Sequence, residues 1–231
     1  MKAVILAGGA GSRLQPVTYE IPKPLLPVKK KPIINYLAEL FRAHGVDDIA
    51  VLVARSHQED FERWQKQWAQ TLPPITLFYE ETPRGTFGGM QQLQAWLGGE
   101  SFILSNGDEL KDFDLTSLIR FHEAHKPVGT IALVEVPDAH EYGVPLLEGN
   151  VIKAFLEKPK NPPSNFISSG LYVLSPEVFP HADFSKEKLM IETDIFPGLA
   201  KEGKLLGFKM ENARWFDCGN LERWEKAMKE W

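Results

Sequence analysis

The chain has a single cysteine, Cys218, among its 231 residues. One cysteine excludes an intrachain disulfide and any multi-cysteine zinc site. Basic residues are also scarce relative to acidic ones, which gives a net charge of -5. Because nucleic-acid-binding surfaces normally carry clustered lysine and arginine, a nucleic-acid partner is not expected. An anionic ligand would have to be bound by a few local cations.

Long apolar stretches are absent as well, and no run approaches the roughly 18 residues that a membrane helix needs. The N-terminal MKAVILAGG passes from a short apolar run directly into glycines, unlike a signal peptide. These absences predict a cytoplasmic protein without a membrane partner. With 43% hydrophobic residues the chain can bury one sizeable core, and a single domain over residues 1–231 is expected.

Short β-branched runs alternate with helical patterns along the chain. This order predicts an α/β fold of the Rossmann-like kind, with a mixed, mostly parallel sheet and helices on both faces. Strands are predicted at 2–7, 49–54, 75–80, 101–105, 130–136, 142–147, 151–155, 167–174 and 205–210. Helices are predicted from Pro32 to a stop at Gly45, from a Ser56/Glu59 capping box, over about 88–97, from Asp114 to His125, around 193–202 and from Asn220.

Three glycines and a cation follow the first strand directly, in Gly8-Gly9-Ala10-Gly11-Ser12-Arg13. Glycines let backbone N–H groups approach phosphate oxygens, and an arginine balances phosphate charge. The segment lacks the third glycine of a dinucleotide-binding fingerprint and the Gly-Lys-Ser/Thr of a P-loop. Asn106-Gly107-Asp108 stands at the carboxyl end of another strand, where ligands of open parallel sheets bind. The two segments are therefore expected to line one crevice.

Further motifs follow the glycine loop in order, beginning with Pro22-Lys23-Pro24-Leu25. With them the sequence resembles the sugar-nucleotide pyrophosphorylase (sugar-1-phosphate nucleotidyltransferase) family, and most of all the pattern of mannose-1-phosphate guanylyltransferases. The motifs that carry the resemblance are Gly85-Thr86-Phe87-Gly88-Gly89, Asn106-Gly107-Asp108, Glu157-Lys158-Pro159, Ser169-Gly170-Leu171-Tyr172, Ile191-Glu192 with Phe196-Pro197, and Trp215-Phe216-Asp217-Cys218-Gly219. The resemblance covers nearly the whole chain.

The resemblance implies transfer of a nucleotidyl group from a nucleoside triphosphate to a sugar 1-phosphate, with release of pyrophosphate. It implies catalytic roles for Arg13, Lys23 and Asp108, and Mg²⁺ held by Asp108 and Asp217. The implied nucleotide-binding residues are Leu6, Ala7, Gly8, Gly9, Gly11, Ser12, Glu80, Gly85 and Thr86. The implied sugar-phosphate-binding residues are Gly143, Glu157, Lys158, Ser169 and Gly170, although Ser168-Ser169 departs from the family's common Asn-Ala.

Fewer residues indicate which nucleobase and which sugar the protein uses. The carboxylate of Glu80 only accepts hydrogen bonds and so suits the paired donors of guanine, which favours GTP. The resemblance to mannose-1-phosphate guanylyltransferases implies mannose 1-phosphate, or a similar hexose or heptose phosphate, as the acceptor. A uridylyl- or thymidylyltransferase acting on glucose 1-phosphate is the alternative. A catalytically inactive nucleotide-sugar sensor or regulatory subunit is a further alternative, disfavoured because both metal-binding acids are present. A plain NAD-binding domain is disfavoured by Leu14 in place of the third glycine.

Other features have plainer interpretations. His122-Glu123-Ala124-His125 lacks the spacing of a helical metal pair and is predicted to be a solvated helix face. Trp224 and Trp231, seven residues apart on the last helix, suggest a homodimer face. The sequence ends soon after Asp217, so a C-terminal β-helix domain is not expected.

Overall fold

The computed structural model describes residues 1–231. Its strands are β1 (Lys2–Ala7), β2 (Pro27–Val28), β3 (Lys31–Pro32), β4 (Asp48–Ala54), β5 (Ile75–Glu80), β6 (Phe102–Asn106), β7 (Glu109–Asp112), β8 (Gly129–Glu135), β9 (Gly143–Glu148), β10 (Val151–Glu157), β11 (Phe166–Leu174), β12 (Leu205–Lys209) and β13 (Arg214–Asp217). Its α-helices are α1 (Ile33–Ala43), α2 (Gln58–Trp68), α3 (Gly85–Gly88), α4 (Gln94–Leu97), α5 (Leu115–His125), α6 (Phe196–Lys201) and α7 (Leu221–Glu230). The predicted mixed α/β class is confirmed.

The chain forms two compact units. The first comprises Met1–Pro83, Ser105–Phe113 and Ala213–Trp231, and the second comprises Arg84–Leu104 and Asp114–Asn212. The first unit contains the parallel strands β1, β4 and β5, with β4 in the middle. It also contains the antiparallel pair of β7 and β13.

The second unit has a mixed sheet in the order β11-β8-β12-β10-β9. Strands β8 and β12 are parallel, and the other neighbours are antiparallel. Strands β9 and β10 form a hairpin around Glu148-Gly149-Asn150, and Gly149 adopts the left-handed conformation that such a turn favours, with φ 59°. No helix in the chain is both long and apolar enough to cross a bilayer.

Most predicted elements are confirmed because they are apolar runs that become buried. Strand β1 has the predicted bounds, and α1 ends just before Gly45, whose φ of 74° suits a helix stop. Asp114 caps α5 as expected, since its Oδ1 accepts a hydrogen bond from the Ser117 N–H at 3.0 Å. Asn220 caps α7 in the same way through the Arg223 N–H.

Three helix predictions were wrong in detail. Ser56 lies inside a 3₁₀ turn, Arg55–His57, so it does not cap α2, which begins directly after that turn at Gln58. The segment predicted as one helix over 88–97 is three short pieces, because adjacent glycines at its start weaken a regular α-helix. Before α6 the chain makes a π-helical turn, Ile191–Ile195.

The two C-terminal tryptophans pack within their own unit. The Trp224 Nε1 donates to the Pro27 carbonyl at 3.0 Å, and the Trp231 ring meets Tyr36 and Phe216 edge to face at 5.9 Å. They border a core of Leu14, Leu26, Val28, Ile33, Leu110, Cys218 and Ala227. The homodimer therefore stays a prediction, and these intrachain contacts weaken the argument that suggested it.

His122 does not lie on a solvated face, contrary to the prediction. It is 3% exposed, and its Nδ1 lies 2.9 Å from the Thr130 hydroxyl. Burial lowers the pKa of His122 to about 4, against a smaller raising effect of Glu177. The imidazole is therefore a neutral part of the core near pH 7.

We expect this histidine to make stability depend on pH. The folded-state pKa lies below the ordinary value near 6.5, so the contribution is complete above pH 6.5 and is lost as the pH falls towards 4. The free energy of unfolding should fall by up to about 3 kcal/mol over that window. Urea unfolding at several pH values measures this.

His122→Gln should flatten that pH dependence. His125→Gln is the matched control, because His125 is exposed on the same helix and should leave the slope unchanged. An equal slope in wild type and His122→Gln would contradict the assignment.

Candidate active site

The backbone conformation of Gly11 shapes the glycine loop of the first unit. Gly11 has φ 63°, its carbonyl accepts hydrogen bonds from the Leu14 N–H and the Thr18 hydroxyl, and an added Cβ would lie 2.8 Å from Thr18 Cγ2. Leu14 is buried and anchors the loop, whereas Ser12 and Arg13 are exposed. The arrangement presents a cation and accessible backbone at the end of β1.

Asp108 is brought to this loop by Gly107. The Gly107 N–H donates to the Leu6 carbonyl at 3.0 Å, and a Cβ there would lie 2.6 Å from that oxygen, so only glycine allows the approach. The Asp108 carboxylate pairs with Lys23 at 2.5 Å. An added Cβ on Gly11 would in turn lie 3.0 Å from Lys23 Cγ. The structure therefore brings together the two segments that were expected to line one crevice.

The charge on Asp108 is set by competing effects. Burial alone raises the pKa of this carboxyl, but attraction and hydrogen bonding from Lys23, with a further contribution from Lys111, bring it below its usual value. Asp108 is consequently a carboxylate at neutral pH.

Asp217 and Arg13 both lie beside Gly219 in the first unit. Asp217 ends β13, accepts a hydrogen bond from the Gly219 N–H at 2.6 Å, and pairs with Arg223. A Cβ on Gly219 would lie 2.7 Å from Asp217 Oδ1 and 3.1 Å from Arg13 Nη2. The Cys218 N–H donates to the Asp108 carbonyl at 3.1 Å. The pairing of β7 with β13 thus brings both predicted metal-binding acids into one neighbourhood.

This neighbourhood fits a hard divalent cation that is shared with phosphates. Mg²⁺ is usually bound by one or two carboxylates, with water and substrate phosphates as its other ligands. Burial raises the pKa of the Cys218 thiol, and the negative charges of Asp108 and Asp217 raise it further. Both carboxylates are therefore close to this thiol. No cluster of three or more metal-binding side chains surrounds it. The two carboxylates therefore suit an ion that is also bound by water and phosphate, rather than a metal site formed by protein ligands alone.

A buried polar network next to Asp108 was missed by the sequence analysis. Glu109 accepts hydrogen bonds from Asn106 Nδ2 at 2.9 Å and from Trp215 Nε1 at 2.7 Å. Lys111 Nζ lies 3.0 Å from Glu109 Oε2, although the angle is not that of a hydrogen bond. Burial raises the pKa of Glu109, Lys111 opposes that effect, and repulsion from Asp108 and Asp217 adds to it. The network joins β7, which begins directly after Asp108, to β13, which ends at Asp217.

Glu80 lies beside the same loop. It ends β5, is only 6% exposed, and its Oε2 would be 3.0 Å from a Cβ on Gly8. Gly9 has open space around it, while Ala7 is buried at the end of β1. The carboxylate is therefore placed where the chain leaves β1 for the phosphate loop.

The second unit holds the predicted sugar-phosphate residues. Glu157 stands opposite Gly143 in the β9–β10 hairpin, and its Oε2 would be 3.1 Å from a Cβ on Gly143. Lys158 follows in a left-handed conformation with φ 49°, its N–H donates to the Tyr142 carbonyl, and its Nζ lies 3.5 Å from Glu157 Oε1. Its side chain is 60% exposed. The unit therefore presents an exposed lysine beside a carboxylate.

Ser169 is the exception among these residues. It is fully buried, and its hydroxyl donates to the Ala132 carbonyl at 2.8 Å, so that hydroxyl is not available to a sugar. The pairing of β11 with β8 shifts between Ser168 and Tyr172, and Gly170 there has φ 63°. The ladder of hydrogen bonds is interrupted at this point, and the N–H of the buried Gly170 donates to the Ser168 hydroxyl at 3.4 Å.

Gly85 and Thr86 also belong to the second unit. Gly85 has φ 84°, and a Cβ there would lie 2.6 Å from the Leu189 carbonyl oxygen. The Thr86 hydroxyl donates to Glu192 Oε2 at 2.6 Å. Sequence reasoning noted Ile191-Glu192 as a motif but gave Glu192 no role.

In the first unit a glycine-rich loop that contains Arg13 follows the first strand, and the charged side chains of Lys23, Asp108 and Asp217 lie near it. This arrangement is typical of a phosphate-binding site. The chain belongs to the nucleotidyl transferase (NTP_transferase) family, whose model matches residues 2–231. It is 36% identical over 225 residues to the mannose-1-phosphate guanylyltransferase catalytic subunit beta of Xenopus tropicalis. That alignment covers 95% of this chain and 61% of the relative, so the chain spans about three fifths of its length.

Two solved structures share the fold. A candidate glucose-1-phosphate thymidylyltransferase from Bacillus anthracis, in complex with a sucrose, has a TM-score of 0.90 at 25% identity and covers 99% of this chain and 94% of its own. HddC from Yersinia pseudotuberculosis, complexed with GMP-PN, has a TM-score of 0.82 at 26% identity and covers 99% and 98%. The predicted family and fold type are confirmed.

Proposed function

We propose that this chain transfers a nucleotidyl group from a nucleoside triphosphate to a sugar 1-phosphate. A phosphate oxygen of the sugar attacks the α-phosphorus, the bond from that phosphorus to the bridging oxygen of the β-phosphate breaks, and pyrophosphate leaves. The observation that carries this proposal is the contact of the Gly8–Arg13 loop with the Lys23–Asp108 pair. The attacking oxygen is already ionised at neutral pH, so positioning and charge neutralisation suffice for catalysis.

In this proposal, the first unit binds the triphosphate. The backbone of Leu6 to Ser12 faces the phosphates, and Arg13 and Lys23 neutralise the charge that develops during transfer. Asp108 and Asp217 would hold Mg²⁺. When bound, that ion would neutralise phosphate charge and orient the triphosphate.

The second unit binds the sugar phosphate. Lys158 is exposed and suited to the phosphate, and Glu157 accepts hydrogen bonds from sugar hydroxyls. Gly143 and Gly170 allow their backbone to approach the sugar closely. Ser169 can contact the sugar only through its main chain, because its hydroxyl is bonded to the Ala132 carbonyl.

We propose GTP as the nucleotide and mannose 1-phosphate, or a similar hexose or heptose phosphate, as the acceptor. Glu80 beside Gly8 supports guanine, because a carboxylate pairs with the N1–H and N2–H₂ donors. The name of the Xenopus relative supports both substrates. The name of the Bacillus structure supports the alternative, a thymidylyltransferase acting on glucose 1-phosphate.

Glu80→Gln should erode the preference for guanine. An amide offers a donor where guanine presents donors, so kcat/KM with GTP should fall about tenfold relative to kcat/KM with UTP. Steady-state assays with both nucleotides measure this ratio.

Glu81→Gln is the matched control, because Glu81 is 76% exposed and pairs with Arg55. It should leave the ratio unchanged. An unchanged ratio in Glu80→Gln would remove Glu80 from base selection.

The proposed reaction is tested by incubating the chain with Mg²⁺, GTP, UTP, dTTP, CTP or ATP, and a panel of sugar 1-phosphates. Pyrophosphate release and NDP-sugar formation, followed by coupled assay and mass spectrometry, should be greatest with GTP and mannose 1-phosphate. If no pair releases pyrophosphate, the proposed function is wrong.

The remaining expectations belong to the same proposal. They are a cytoplasmic location, one functional domain over residues 1–231 despite the two compact units, and the absence of a nucleic-acid or membrane partner. A homodimer is one proposed assembly. The Xenopus relative is named as a catalytic subunit, so light scattering and co-purification should both be measured.

A further inference from the structure

The turn that carries Gly85 and Thr86 is held by a distant segment of the second unit. The Leu189 N–H donates to the Arg84 carbonyl, and the Phe87 N–H donates to the Leu189 carbonyl, both at 2.9 Å. Arg84 Nη2 also donates to the Phe184 carbonyl at 2.6 Å. The conformation of residues 84–87 therefore depends on residues 184–192.

The proton of the Thr86 hydroxyl is used within this contact. It donates to Glu192 Oε2 at 2.6 Å and accepts from the Ile191 N–H at 3.0 Å. A threonine hydroxyl has one proton to donate, and here Glu192 accepts it. Thr86 thus anchors the turn, and its hydroxyl proton is not offered to a nucleotide.

Glu192 also reaches the bulged strand of the same unit. Its other oxygen, Oε1, accepts a hydrogen bond from the Tyr172 hydroxyl at 3.4 Å, and that hydroxyl lies 3.4 Å from Ser168 Oγ. The Tyr172 ring packs edge to face on Phe196 at 5.1 Å. One carboxyl group therefore links the Gly85–Thr86 turn to the strand on which Gly170 bulges.

The surroundings of Glu192 disfavour a negative charge on its carboxyl group. Burial raises the pKa of Glu192, hydrogen bonding from Thr86 opposes the rise, and the negative charge of Glu157 adds to it. Glu192 lies in the π-helical turn Ile191–Ile195, and such turns often occur at functional sites.

We propose that Glu192 is a positioning residue, which couples the Gly85–Thr86 turn to the Ser168–Tyr172 segment by bonding Thr86 and Tyr172. This inference rests on the proposed function, together with the nucleotide-binding role that the family resemblance implies for Gly85 and Thr86 and the sugar-phosphate role proposed for Gly170. Loss of the link displaces both binding elements, so the effect falls on both substrates and on the chemical step.

Kinetics of three variants test the proposal. Glu192→Ala should lower kcat about 30-fold and raise KM for both the nucleotide and the sugar 1-phosphate, because small misplacements of bound groups reduce rates strongly. Glu192→Gln should stay within about threefold of wild type, because its amide oxygen still accepts from Thr86. Glu187→Ala, an exposed glutamate of the same segment, is the matched control and should behave as wild type.

Hydrogen exchange gives a readout that needs no substrate. The Phe87 amide, bonded to Leu189, should exchange at least about tenfold faster in Glu192→Ala and at the wild-type rate in Glu192→Gln. If the wild type releases no pyrophosphate, the proposed function fails, but this comparison still decides the role of Glu192.

Two results would overturn the proposal. One is that Glu192→Ala keeps the wild-type kcat and the wild-type exchange rate of the Phe87 amide. The other is a rise in the KM for the sugar 1-phosphate alone, which would make Glu192 a direct sugar contact.

If Glu192→Ala does not fold, Thr86→Val takes its place and should reproduce the kinetic losses, while Thr86→Ser should restore activity. Thr86→Val with wild-type kinetics would then reject the link.

Discussion

Asp108→Asn should lower kcat roughly 1,000-fold, because it removes the carboxylate that faces both Lys23 and the proposed cation. The amide still accepts a hydrogen bond from Lys23, so the fold should persist. The charge that would help to hold the ion against the phosphates is lost. Initial rates of pyrophosphate release at saturating GTP and sugar 1-phosphate measure the effect, with a thermal melt to check folding.

Asp112→Asn is the matched control for this prediction. Asp112 ends the neighbouring strand β7 and is exposed, so the same chemical change there should leave kcat within about twofold. Asp108→Asn with more than a third of wild-type kcat would show that this carboxylate is not needed for transfer.

The phosphate-loop half of the site was largely predictable because local sequence encodes it. Gly8 to Arg13 follow an apolar run that becomes buried as β1, and Gly107 precedes Asp108 at the end of β6. Both segments leave strands at their carboxyl ends, and the glycines permit the close approach that the structure shows. The motif order therefore predicted that these two segments lie together.

Contacts between distant residues could not be predicted in this way. The bonds from Trp215 to Glu109 and from Thr86 to Glu192 each join positions 106 residues apart. Strands β7 and β13 are short and contain several polar residues, so they lack the apolar run that identifies a buried strand. Such pairings depend on tertiary packing, which a pattern of local periodicity does not record.

The burial of two polar side chains was also not predicted. His122 was expected in solvent because polar residues are usually exposed, and Ser169 was placed near a sugar by the family resemblance. Each instead satisfies a hydrogen bond inside the second unit, His122 with Thr130 and Ser169 with Ala132. The available partner decides the outcome in both cases, and that partner lies on β8, a different element from the one that carries the polar side chain.

Arg13→Ala should also lower kcat roughly 1,000-fold. Arg13 is exposed on the loop and reaches towards Gly219 and Asp217, where a planar guanidinium can bind two phosphate oxygens at once. Arg13→Lys should recover less than about a tenth of wild-type kcat, because an ammonium group cannot reproduce that bidentate geometry. Single-turnover rates with GTP separate this loss from any change in nucleotide binding.

The geometry of the loop makes this prediction specific to Arg13. Leu14, the next residue, is buried and fixes the backbone, so removing the guanidinium should leave the loop in place and the melting temperature unchanged. Arg63→Ala is the control, since Arg63 is 73% exposed on α2 and makes only a long ion pair with Asp60. If Arg13→Ala changed only KM for GTP and left kcat intact, the arginine would bind the ground state alone, and charge stabilisation during transfer would have to come from Lys23.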